Sequence, residues 1–159
     1  LGPAEIIVKM RSINSHIGAW APMAEQKAVA RYLVNTGAID NWFSVFKAGI
    51  IERLQKIFTG FQQMKAAGLH VDAITPQAAI YLTVQIDYVG KTTAGGKLLA
   101  TQADVTAYIL DEAKLAIVPF YCFGSNTESS WYRLSVGTCK IEEIDEMLGA
   151  LKAALLKLK

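Results

Sequence analysis

The sequence predicts an α/β protein: a small, mostly antiparallel sheet with helices packed on one face, preceded by a long connecting helix. Three observations predict it. Apolar residues recur at steps of three and four across residues 41 to 67, the period of a long amphipathic helix. The pattern then changes to short runs dense in β-formers, "AAIYLTVQI" (78–86), "LAIVPF" (115–120) and "WYRLSV" (131–136). A last helical stripe closes the chain. Residues 70 to 159 therefore read β-β-α-β-β-α, two layers with helices against one small sheet.

The elements follow in order. Residues 4 to 13 suggest a short helix. "APMAEQKAVARYLVNTG" follows, with Pro22 near its start and Gly37 after its end, the expected punctuation. Asp40 can cap the next helix. Its stripe is Trp42, Phe46, Ile50, Leu54, Ile57, Phe58, Phe61 and Met64, and it ends near Gly68. At 1.5 Å per residue it spans roughly 40 Å. A helix of that length either bridges two structural units or lies in a bundle. The strand at 78–86 comes after the Thr75-Pro76 break. "YVGKTTAGGKLL" reads as a flexible loop. Thr101 and Asp104 have the spacing of a capping box for a helix to about Ala113. "LAIVPF" is a short buried strand, "CFGSNTESS" a loop, and Trp131–Val136 another strand. In the last helix, Lys140 to Leu158, Ile141, Ile144, Leu148, Leu151, Leu155 and Leu158 share a face. These readings divide the chain at 1–38, 39–68 and 69–159.

Composition narrows the function. The chain has 159 residues and is 52% hydrophobic, with a mean hydropathy of +0.27. No run reaches the ~18 apolar residues of a membrane span. An apolar chain of this kind buries surface against a partner or a further part of itself. The net charge is +2 with scattered basic residues, so no nucleic-acid footprint is evident. Cys122 and Cys139 are too few for a disulfide framework, and residues 1 to 20 lack a signal-peptide pattern. A reducing cytoplasm is the expected compartment. The chain begins without Met, as if cut from something longer.

"GKTT" (90–93) invites a phosphate-loop reading, but that loop needs a Gly where Gln85 stands, and no helix pattern follows the Lys. A mobile surface loop is the better account. His16, His70, Cys122 and Cys139 lack metal-ligand spacing. Met10, Met23 and Met64 read as core filler.

Arg133 stands in the middle of an otherwise apolar strand. Tyr132, Leu134 and Val136 point one way, and Trp131, Arg133 and Ser135 the other. Two readings stay open: an edge-strand Arg, solvated or paired with an acid, or a rigidly held guanidinium that grips a carboxylate with two parallel hydrogen bonds.

Five segments together resemble the C-terminal portion of fold-type I pyridoxal-phosphate enzymes, the class I/II aminotransferases. "GPAEIIVKMRSI" is similar to the segment after that family's cofactor-lysine loop, and "AEQKAVARYL" to its next helix. "TPQAAIYLTV" resembles its Pro-Gly-Ala-Phe-Tyr strand, with Gln77 in place of the Gly. "LAIVPFYCFGSN" resembles its Val-Pro-Gly-x-x-Phe-Gly segment, with Phe120 in place of the Gly. "YRLSVG" resembles its Arg-Leu-Ser-Phe-Ala strand. The resemblance implies that Arg133 binds the α-carboxylate of an amino acid or 2-oxo acid. It also implies a homodimeric parent that uses pyridoxal phosphate, with residues 1–38 the tail of its cofactor domain, and "INSHIGAW" (13–20) at the subunit interface with Trp20 as anchor. None of the family's Schiff-base lysine, pyridine-nitrogen acid or main phosphate-binding motifs is found here. The chain then reads as a fragment, inactive alone and not binding the cofactor itself, with no nucleic-acid or membrane partner. Gln77 and Phe120 bear on which substrate is handled. The alternatives are another pyridoxal-phosphate reaction such as C–S lysis, an aminotransferase-like regulator, or a stand-alone carboxylate-binding or interaction module.

Overall fold

The computed structural model describes residues 2–18 and 21–159; Trp20, read above as an interface anchor, lies outside them. The chain divides into two compact units, Leu1–Val45 and Phe46–Lys159.

The first unit is helical. Helix α1 spans Ala4–Ile17, four residues longer than the sequence suggested, and ends at Gly18 with φ of 78°. Helix α2 spans Met23–Leu33, just after Pro22. Neither helix has a buried residue. Met10 and Met23 are therefore exposed rather than core filler, since no described neighbour covers these helices' apolar sides.

Helix α3 runs over Thr36–Ala66, 31 residues or about 46 Å. It begins earlier than expected because Asn35 caps it, its Oδ1 accepting from the Ala38 N–H at 3.4 Å. Gly37 thus sits in the first turn of α3 and does not end α2, and Asp40 lies inside the helix. At the other end Gly68 has φ of 87°. The Leu69 N–H reaches the Met64 carbonyl at 3.1 Å and the Gly68 N–H reaches Lys65 at 2.9 Å, the glycine-terminated ending the sequence implied. Ile50, Leu54, Ile57, Phe61 and Met64 are buried, whereas Trp42 and Phe46, at the front of the stripe, are exposed.

The second unit holds a four-stranded sheet of β1 (Val71–Ala73), β2 (Tyr81–Ile86), β3 (Val118–Pro119) and β4 (Trp131–Ser135). The order is β1-β2-β4-β3, and every pair is antiparallel. Helix α4 (Gln102–Ala113) and helix α5 (Ile144–Leu156) complete it. One face of the sheet is dry. Leu82, Val84 and Ile86 from β2 join Tyr132 and Leu134 from β4 and Val136 just beyond it. With Ile57 and Phe61 of α3, Val105 and Ile109 of α4 and Leu151 and Leu155 of α5 they form one cluster. Gly60 of α3 lets α5 approach closely, since a Cβ there would strike Leu148.

The capping box at α4 forms as read: Thr101 Oγ1 accepts from the Asp104 N–H, and Asp104 Oδ2 accepts from the Thr101 N–H at 3.0 Å. Three expectations shift. Strand β2 starts three residues late because Ala79 has φ of 64°, outside the β region. Strand β3 is a two-residue edge strand with Val118 37% exposed, a position that tolerates Pro119. The loop read as flexible is tied down, Thr92 and Lys159 exchanging N–H to carbonyl bonds at 3.0 Å each.

Candidate functional site

Arg133 is not on an edge. Strand β4 lies between β2 and β3, and Arg133 stands opposite Thr83 on one side and Val118 on the other. The strand alternation works out as the sequence implied. Tyr132, Leu134 and Val136 are buried under the helices, while Trp131 and Arg133 are half-buried and Ser135 exposed on the opposite face. The register brings Tyr81, Thr83 and Gln85 of β2 onto that same open face.

Two aromatic rings hold the guanidinium. Its Cζ lies 4.5 Å from the Tyr81 ring centroid and 4.4 Å from that of Phe123. Tyr81 is diagonal to Arg133 across the β2–β4 pair, within reach of a long side chain. Phe123 arrives from a 3-10 turn, Phe120–Phe123, directly after β3. Gly124 ends that turn with φ of 88°, its N–H donating to the carbonyls of Phe120 and Tyr121. Phe120 meets Phe123 edge to face, centroids 6.5 Å apart. Cation–π contact contributes about 0.5–1 kcal/mol per ring at such partly exposed sites.

The five ion pairs among the described residues do not include Arg133. It borders a depression of about 350 Å³ lined by Tyr81, Thr83, Phe120, Phe123 and Ser125. The rings pack against the guanidinium, and Arg133 still borders the depression. Its planar fork of N–H donors suits a two-oxygen anion such as a carboxylate. Thr83 and Ser125 add hydroxyls; among the described residues no second charge lines the depression.

The strand beneath is pinned from its dry side. The Tyr132 hydroxyl accepts from Gln102 Nε2 and, at 3.3 Å, from Thr106 Oγ1, both on α4. Burial pushes the Tyr132 phenol pKa up, against these two hydrogen bonds. Gln102 is 2% exposed. Its Oε1 has no partner among the described residues.

Of the residues singled out from the sequence, Phe120 falls beside Arg133 and Gln77 does not. Gln77 lines a separate, mainly apolar cavity of about 430 Å³ with Ile50, Leu54, Pro76 and Ile80. Among the described residues no three potential metal ligands come together, and no helix is long and apolar enough to cross a membrane. Among the described residues neither a lysine nor a carboxylate lines the depression. The residues present there do not fit pyridoxal phosphate, whose aldehyde and pyridine nitrogen would have no partner. Sequence reasoning missed Tyr81 and Phe123. Their meeting at Arg133 depends on strand register and on a turn, and neither is a local signal.

The family model for class I and II aminotransferases matches residues 1–151. A probable aspartate/prephenate aminotransferase of Rickettsia felis is 36% identical over 78 residues, 48% of this chain and 18% of that protein. An aspartate aminotransferase of Rhizobium meliloti is 34% identical over 85 residues, 53% of this chain and 20% of that protein. The crystal structure of the aspartate aminotransferase from Rhizobium meliloti superposes with a TM-score of 0.71 at 26% identity, covering 99% of this chain and 37% of that one. The matched half of the chain thus covers about a fifth of the length of each of these two curated relatives, and the whole chain little more than a third of the solved one.

Proposed function

The chain belongs to the class I and II aminotransferases, a pyridoxal-phosphate-dependent family, and from that premise we propose that it supplies the substrate-carboxylate clamp of such an enzyme through Arg133. The ligand is the α-carboxylate of an amino acid or its 2-oxo acid. The observation that carries the reading is the guanidinium itself. It is on an interior strand, faces the open side of the sheet, is held by Tyr81 and Phe123, and is in none of the ion pairs among the described residues. A clamp on two oxygens fixes the position and plane of the carboxylate, and with a second anchor elsewhere on the ligand it orients the bonds at Cα.

In this reading residues 1–38 belong to the cofactor domain of a larger enzyme, 39–68 form the connecting helix and 69–159 the small domain. The cofactor, its lysine and its acid belong to the rest of that enzyme, a cytoplasmic homodimer. The coverage of only 37% of the solved Rhizobium meliloti chain supports this, as does the lack of a lysine beside Arg133. The chain alone does not bind the cofactor and carries no activity.

Titration of the ¹⁵N-labelled chain with propionate tests the clamp. The Arg133 Nε–Hε resonance and the backbone amides of Thr83 and Ser125, which line the same depression, should move saturably, and Arg133→Gln should abolish the amide shifts. In the enzyme containing this segment, Arg133→Lys should cut kcat/KM by at least about tenfold, because the charge stays and the planar fork is lost. Equal titration curves for the parent chain and Arg133→Gln would refute the reading. So would a stoichiometric borohydride-trapped pyridoxal-phosphate adduct on a single lysine, as regards where the cofactor is held.

A further inference from the structure

The walls around Arg133 carry information about the rest of the ligand. Among the described residues Arg133 is the one charged residue lining the depression; three of the other five are aromatic, Tyr81, Phe120 and Phe123. Two of those rings are committed to the guanidinium. Phe120 is not. It touches Phe123 edge to face, is only half-buried, and borders the same space.

We propose that Phe120 is a specificity-determining residue: it forms an apolar wall beside the clamp that favours monocarboxylates bearing an aromatic or bulky apolar group over dicarboxylates. The inference rests on the clamp reading above and goes beyond it by naming the substrate class. The physical reasons are two. A flat apolar surface beside a charged fork binds a ligand that is ionic at one end and apolar at the other, since each part is then removed from water against a matching partner. A second carboxylate placed against Phe120 would lose hydration with only the hydroxyls of Thr83 and Ser125 in return. Phe120 acts on the ligand both directly and through Phe123. Its edge contact limits how far that ring can turn away from Arg133.

The test compares three probes on the 159-residue chain by Arg133 Nε–Hε titration: propionate, 3-phenylpropionate and succinate. We expect 3-phenylpropionate to bind about tenfold tighter than propionate, the scale of discrimination that one or two methylene groups in an apolar pocket produce. Succinate should gain no more than its statistical factor of about two over propionate. Phe120→Ala should bring the phenylpropionate-to-propionate ratio to within about twofold, and Phe120→Leu, which keeps an apolar wall but not a flat one, should keep part of it. Succinate as the tightest ligand, or a ratio unchanged in both Phe120 variants, would overturn the proposal while leaving the clamp standing. If none of the three probes moves Arg133, the clamp and the specificity wall both fall.

Discussion

Removing one oxygen atom from the core tests how β4 is held. Tyr132 is 0% exposed, and its hydroxyl accepts from Gln102 and Thr106. In Tyr132→Phe, Thr106 keeps its bond to the Gln102 carbonyl at 2.8 Å. Gln102 fares worse. Its Nε2 retains only the Ile86 carbonyl at 3.5 Å, the outer limit of a hydrogen bond. A buried donor left without a partner costs about 1–3 kcal/mol. Phe regains a little by not desolvating a hydroxyl, so the net should be about 2 kcal/mol of lost stability. That is a large share of the ~5–15 kcal/mol a domain has. Urea unfolding reads it as a lower midpoint with unchanged slope. Tyr132→Phe with Gln102→Leu should recover most of the loss, because both polar partners are then gone together. There is also a pH arm. Burial raises the Tyr132 phenol above its ordinary value of 10.0, so the folded state favours the protonated form. This contribution is complete below about pH 10 and is lost as pH rises beyond it. The parent chain should therefore lose more stability than Tyr132→Phe above pH 10, with Tyr88 and Tyr108, also raised mainly by burial, giving a common slope. A Tyr132→Phe midpoint within the error of the parent, or a double variant less stable than the single one, would mean that the Tyr132 hydroxyl does not hold β4.

Two more outcomes are expected. Asp72 is held by Lys65 at 2.5 Å, by Gln62 at 3.2 Å and by the Ala73 N–H at 2.8 Å; the Lys65 hydrogen bond is the main reason its carboxyl titrates below the ordinary 3.8. Its stabilisation is present above pH 3.8 and lost as pH falls through the lower folded value. Asp72→Asn should therefore cost under about 1 kcal/mol at pH 7, and the gap to the parent should close below pH 3.8 in urea titrations at stepped pH. Gly124→Ala forces a side chain onto a φ of 88° and should cost about 1–2 kcal/mol in thermal unfolding. It should also weaken propionate binding by shifting Phe123 off Arg133, and unchanged binding would detach that turn from the site.

Much of the fold was legible because the relevant signals are local. The stripe from Ile50 to Met64 and the Thr101–Asp104 box are each contained within one helix or one turn, and both appear as read. The misread boundaries have a common cause. Gly37 and Asp40 both look like helix punctuation, but Asn35 reaches the free Ala38 N–H first. Ala79 leaves the extended region although nothing in "AAIYLTVQI" announces it. Gln102, a polar residue in the core, becomes intelligible only when Tyr132 is placed above it.

The position of Arg133 follows from the same dependence on partners. Strand β4 carries two kinds of residue at alternate positions, and a slip of one place would put the guanidinium in the core and Tyr132 on the open face. Hydrophobic burial of Leu134 and Val136 opposes such a slip, but small apolar residues can repack. The Tyr132 hydroxyl opposes it more specifically, because it finds its donors, Gln102 and Thr106, on α4 in one register only. On the open face Tyr81 and Phe123 meet the guanidinium in that register as well. Polar contacts beneath the sheet and aromatic contacts above it thus select one alignment, and that alignment leaves Arg133 bordering the depression. A charged residue in a buried-looking strand is therefore consistent with stability here: two rings pack against its guanidinium, and the residue still borders the open depression.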